Sequence, residues 1–132
     1  MFDSSDITQL RAIDTLKAVI GNRTAVYILL FIQAGGSGYA NQIAKTFDVP
    51  LHSVQRQLAK LEDNEIFTSR MVGNARIFEF NRRNSTARNL SQFLQAELDD
   101  FPQELVRRYF SQRQKPRRAG KAIEYVPEEL RQ

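Results

Sequence analysis

The feature that most constrains this chain is Pro50, set between two short segments with helical apolar spacing. Before it, Ala40, Ile43, Ala44 and Phe47 recur at the spacing of one helix face. After it, Val54, Leu58 and Leu61 do the same. A proline disfavours helical geometry in the residue ahead of it, so a first helix must stop by Phe47 or Asp48. Pro50 itself is tolerated at the start of a second helix, where its missing N–H matters least. The stretch Tyr39–Glu62 therefore predicts two helices joined by a tight turn.

Two β-prone runs follow, FTSRMV and ARIFEF, separated by Gly73-Asn74. Gly and Asn tolerate positive φ, so this is a hairpin turn. In the first run Phe67, Ser69 and Met71 alternate with Thr68, Arg70 and Val72. In the second, Ile77, Phe78 and Phe80 cannot all face one side of a two-stranded ribbon, so other helices or a second subunit must cover part of that surface.

With these pieces in place, residues 24–81 resemble a winged helix-turn-helix of the ArsR/MarR-like kind found in bacterial and archaeal transcription regulators. The matching segments are VYILLFI, YANQIAKTFDVP, HSVQRQLAKLEDNEIF and SRMVGNARIFEFN. The later RYFSQRQKPRRAGK is similar to the basic Arg/Pro/Gly tail of a group of small prokaryotic members. The resemblance implies a mainly α fold with a small β-hairpin wing (α+β), a DNA-binding regulator, and extra N- and C-terminal helices around the core. The expected division is residues 1–22, an N-terminal helix for dimerisation; 23–82, the winged helix-turn-helix; 83–110, C-terminal helices for dimerisation; and 111–132, a basic tail.

Within the core, the helix after Pro50 leaves His52, Ser53, Gln55, Arg56, Gln57 and Lys60 outside its apolar face. Side chains early in such a helix are those a major groove admits. Arg56 can pair bidentately with a guanine edge, and Gln55 or Gln57 with an adenine edge. Ser53, Lys60 and Asn41 suit phosphates. The resemblance implies that His52, Ser53, Gln55, Arg56 and Gln57 hold the base-facing positions. In the wing, Arg70, Asn74 and Arg76 can straddle the backbone or enter a minor groove. Arg76 has a competing use, pairing with Glu79 or the chain near Glu65. Tyr39 is read as a packing residue rather than a base reader.

The ends carry their own signals. Ser5-Asp6 can cap a first helix with Ile7, Leu10, Ile13, Leu16 and Ile20 on one side, stopped by Gly21-Asn22. It either meets a partner subunit or covers its own domain. Asn22 or Thr24 caps a second helix through about Gln33, whose near-continuous AVYILLFI run marks it as buried. Ala34 to Gly38 ends it as a turn, and Gly38-Tyr39 is placed for a short strand. Asn84-Ser85-Thr86 opens a later helix with the stripe Leu90, Phe93, Leu94 and Leu98, broken at Asp99 to Pro102. Glu104 to Phe110 forms a further short helix. This apolar surface exceeds the needs of a minimal winged helix. A two-fold homodimer through the terminal helices is expected, because it places two recognition helices about 34 Å apart, one DNA turn.

The net charge of +4 hides an asymmetry. Acids and bases nearly balance up to Ile66, whereas Arg107, Arg108, Arg113, Lys115, Arg117, Arg118 and Lys121 form a stretch without an acid. Such a run fits a polyanion, and Arg117 and Arg118 are expected to lie along DNA phosphates or in a minor groove. Docking to an acidic protein is the competing use. No apolar run approaches the roughly 20 residues of a bilayer span. The polar, acidic start has no signal-peptide pattern, so the chain is expected in the cytoplasm, with no membrane partner.

The expected chemistry is binding rather than catalysis. There is no cysteine and one histidine, His52, so no metal site, catalytic set or cofactor is expected. The absence of cysteine departs from the thiolate metal sensors of the ArsR-like group. Gly35 to Gly38 lacks the lysine and spacing of a phosphate loop. The function so predicted is sequence-specific binding of double-stranded DNA at a palindromic operator by a transcriptional regulator. The alternative is a protein–protein module such as an antitoxin or nucleotidyltransferase partner, which would carry exposed apolar residues on the face from His52 to Lys60. A single-strand or RNA binder would need exposed aromatics for stacking.

Overall fold

A computed structural model of the chain describes residues 6–110. Asp6 caps a short 3-10 turn, Ile7–Gln9, by accepting from Thr8 N–H at 2.9 Å. Leu10 is extended, and α1 (Arg11–Ile20) begins only after it. The expected single N-terminal helix is therefore split, because Asp6 closes its own tight turn before the α-helix starts. Gly21, at φ 97°, ends α1. Asn22 caps α2 (Arg23–Gly35) through Ala25 N–H.

The α2 helix is the axis of the molecule. Ala25 to Ile32 are buried without interruption, and the helix meets α1, the two helices of the turn motif, the hairpin, the helix Ser85–Asp100 and the last turn of the described chain. On its N-terminal side Ile7, Ile13 and Leu16 are covered. Ile7, Ile13 and Leu16 of the N-terminal segment thus pack on their own domain, while Val19 stays at the surface. Arg23 reaches back to Asp14 on α1 at 2.5 Å, and this hydrogen bond, then one with Tyr27, holds its guanidinium above the ordinary range.

The turn motif follows as α3 (Ala40–Phe47) and α4 (Leu51–Asp63). Tyr39 N–H donates to Gln42 Oε1 at the start of α3. Asp48 adopts the left-handed conformation (φ 55°), and Val49 N–H returns to the Ala44 carbonyl. Pro50 is extended and its carbonyl accepts from Ser53 and Val54. The far end of α4 closes in the same way without glycine. Glu65 is left-handed (φ 67°), while Glu65 and Ile66 donate to Glu62 and Leu61, the bonding pattern of a Schellman cap.

The wing is an antiparallel hairpin, β1 (Phe67–Val72) and β2 (Ala75–Phe80), turning at Gly73-Asn74. Phe67, Phe78 and Phe80 join the main core. Ile77 faces the other way and is buried beneath Tyr39, Val72 and Ala75. All three residues in question are therefore covered within one chain, on opposite faces. Tyr39 supplies that cover, in the packing role expected of it. The expected strand at Gly38-Tyr39 is a single bridge, Gly38 exchanging both backbone bonds with Phe78. A Cβ at Gly38 would stand 3.1 Å from the Phe31 ring, so a side chain there would have to push the ring aside by a few tenths of an ångström.

Asn84 caps α5 (Ser85–Asp100), as expected. Its inner stripe is Ala87, Leu94 and Leu98, with Leu90 half-buried; Phe93 points outward and is 40% exposed. The stripe read from sequence needs this correction, because Phe93 lies a full helical step to the side of the Leu94–Leu98 line. After Phe101 and Pro102 come α6 (Gln103–Leu105) and a π-helical turn, Val106–Phe110. Leu105 and Phe110 are buried. No single helix among the described residues is long and apolar enough to cross a membrane.

Phe47 joins these parts. Its ring stacks on Tyr27 at 4.5 Å, meets Phe31 edge-on at 6.1 Å, and lies 5.5 Å from Phe110 and 6.2 Å from Tyr109. Phe47→Ala should cost about 3–5 kcal/mol in urea unfolding, with Phe47→Leu costing less. At the left-handed turn, Asp48→Gly should change stability by less than about 1 kcal/mol, because glycine accepts that conformation at an entropic cost. Asp48→Val should lose about 1–2 kcal/mol in the same measurement.

Candidate nucleic-acid interface

The α4 helix sits on the body through Val54 and Leu58, with Leu61 half-buried beside them. Steps of 100° per residue then fix where its polar residues lie. His52 and Arg56 crown the solvent side, with Ala59 and Asp63 below. Gln55 leans toward the wing. Ser53, Gln57 and Lys60 lie on the opposite flank. His52, Gln55, Arg56 and Lys60 are exposed, and Ser53 and Gln57 half-exposed.

Between α4 and the wing runs an open groove of about 870 Å³. Its walls are Tyr39 to Asn41 at the start of α3, Gln55, Leu58, Ala59 and Glu62 on α4, and Met71 to Arg76 around the wing tip, with Phe78 at its floor. Asn41, Gln55, Asn74 and Arg76 of the predicted set meet here. His52, Ser53, Arg56, Gln57 and Lys60 lie outside the groove, on the crown and far flank of α4.

The strand register separates the two wing arginines. Arg76 is opposite Met71, and Arg70 is opposite Ile77, so they project from opposite faces of the hairpin. Arg70 stands 3.9 Å from the Glu79 carboxylate, the partner considered for Arg76 in the sequence. Arg76 instead donates to Ser69 Oγ at 3.0 Å, and Ser69 donates to Glu62 on α4 at 2.5 Å. Arg117 and Arg118 lie outside the described residues.

Four features of this surface escaped the sequence reading. Glu62 places a carboxylate inside the groove, and Ser69 links it to Arg76. The alternation of Phe67, Ser69 and Met71 already put Ser69 on the inner wing face, but only the fold brings Glu62 opposite. Leu51 and Met71, 37% and 54% exposed, are large apolar side chains at the ends of the site. Both lie outside the stretch from His52 to Lys60, which exposes no large apolar side chain of its own.

The surface is therefore a convex helix edged by amides and cations, beside a groove closed by a two-stranded tip. It can offer hydrogen-bond donors to base edges along α4 and to phosphates from the wing. Helix, turn, helix and wing together make the fold a winged helix-turn-helix.

No protein-family model matches this sequence, and no curated protein matches it. Among solved structures, a mutant of ZitR from Lactococcus lactis in apo form aligns at 20% identity and a TM-score of 0.47, over 81% of this chain and 83% of that one. The antimony-specific transcriptional repressor AntR aligns at 15% identity and a TM-score of 0.44, over 75% and 87%. These are chains to which this winged helix-turn-helix is similar.

Proposed function

We propose that the protein is a sequence-specific double-stranded DNA-binding regulator. The observation that carries the proposal is the exposed crown of α4, where His52 and Arg56 stand with Gln55 and Lys60 on either side. A B-form major groove is wide enough to receive such a helix. Arg56 is the base reader, Gln55 and Gln57 contribute amide contacts, and Ser53, Lys60 and Asn41 bind phosphates. Asn74 and Arg76 meet the flanking backbone, while Arg70, on the outer wing face, contributes charge. The protein acts as a homodimer on a palindromic operator in the cytoplasm. Val19 on α1 and Phe93 on α5, large apolar side chains left at the surface, support an interface through the terminal helices. Arg117 and Arg118 extend the contact along the phosphates.

Leu51 and Met71 favour a second reading, a module that docks a protein partner through the same face. Apolar side chains also meet thymine methyl groups, so their exposure is compatible with DNA.

Selection of bound duplexes from a random pool, at two salt concentrations, decides between these readings. A palindrome with half-sites about 10 bp apart is the expected result. No binding at low salt would remove DNA as the ligand and leave the protein partner. On the selected operator, Arg56→Ala should cost about 1–3 kcal/mol in competition titrations and relax preference at one position. Neutralising Arg117 and Arg118 should instead weaken binding to all sequences alike and lower the salt slope by about two.

A further inference from the structure

We propose that Glu62 and Ser69 are positioning residues that hold Arg76 for contact with a DNA phosphate; this rests on the duplex-binding reading above. The three side chains come from three elements. Glu62 is on α4, Ser69 on β1 and Arg76 on β2. A serine hydroxyl has one proton to give, and Ser69 gives it to Glu62 Oε2 at 2.5 Å. Its lone pairs are thereby turned toward the wing, where Arg76 Nη1 donates at 3.0 Å. Donor and acceptor roles run in one direction, because the guanidinium can only donate and the serine's single proton is directed at the Glu62 carboxylate.

The arrangement does what a direct ion pair would not. Among the described residues, Glu62 and Arg76 form no salt bridge with each other, whereas Arg70 on the outer face stands directly against Glu79. The interposed hydroxyl lets the carboxylate anchor the guanidinium without occupying its fork. Arg76 remains exposed at the mouth of the groove. Its other N–H groups are directed by the planar fork once one is fixed. Because the anchor is on α4, the relay also ties the angle of the wing to the helix that enters the major groove. Glu62 and Ser69, both half-buried, act through Arg76 and contact no base or phosphate themselves.

The test is a double-mutant cycle on the full chain, read as affinity for one labelled duplex and its salt dependence. Arg76→Ala should weaken binding and lower the salt slope by about one. Ser69→Ala should weaken binding about two- to tenfold, the range for one hydrogen bond, and flatten the slope in the same direction. In the Arg76→Ala background the Ser69→Ala loss should vanish. Ser69→Thr, which keeps the hydroxyl, should restore both affinity and slope. Unchanged or tighter binding by Ser69→Ala would overturn the relay. So would an equal Ser69→Ala loss in both backgrounds, and either result would leave DNA binding standing. Failure of the wild-type chain to bind any duplex would overturn both.

Discussion

The contact on which the rest of the structure depends is the stack of Phe47 on Tyr27. An eight-residue helix such as α3 is too short to persist by its own hydrogen bonds. Its stability comes from the face formed by Ile43, Ala44 and Phe47, all buried. Phe47 is the last residue of α3, so the stack fixes the point where the chain turns. Asp48 then reverses direction in the left-handed region, Pro50 restarts the chain, and α4 projects from there. On its other sides the same ring meets Tyr109 and Phe110. The end of the described chain is thus clamped to the platform that carries α4.

The wing is held by a different division of labour. A two-stranded hairpin has little independent stability in water. This one uses both faces. Phe67, Phe78 and Phe80 enter the main core, while Ile77 is roofed by Tyr39. The bridge between Gly38 and Phe78 adds a point of pairing along the β2 edge. At the tip, Met71, Gly73, Asn74 and Arg76 stand exposed beside α4. The result is a rigid base with an exposed end whose polar groups are linked to α4 through Ser69.

Much of this was legible in the sequence because the signals were local. Pro50 marked the break between α3 and α4, Gly73-Asn74 the wing turn, and Asn22 and Asn84 the helix starts. The apolar spacing of Val54, Leu58 and Leu61 selected which residues of α4 face outward, and the structure leaves His52, Gln55, Arg56 and Lys60 there. Less was legible where one residue type serves two geometries. Asp6 caps a tight turn rather than the helix itself, and Glu65 takes a left-handed cap position usually held by glycine. Phe93 matched a helical stripe by spacing but fell outside it in rotation.

What the sequence determined by itself was the order and type of elements and the chemical character of α4, since turn propensities and periodicity act within a few residues. Tertiary structure alone decided which distant residues meet. It put Ile7, Ile13 and Leu16 on their own domain, Tyr39 over Ile77, and Glu62 opposite Ser69 and Arg76. Those pairings depend on the crossing of α4 with the wing and on the pleat that sends Arg70 and Arg76 to opposite faces. The crossing is set by how the elements pack around α2, and no spacing within one segment encodes it; the pleat follows from strand alternation and hairpin register.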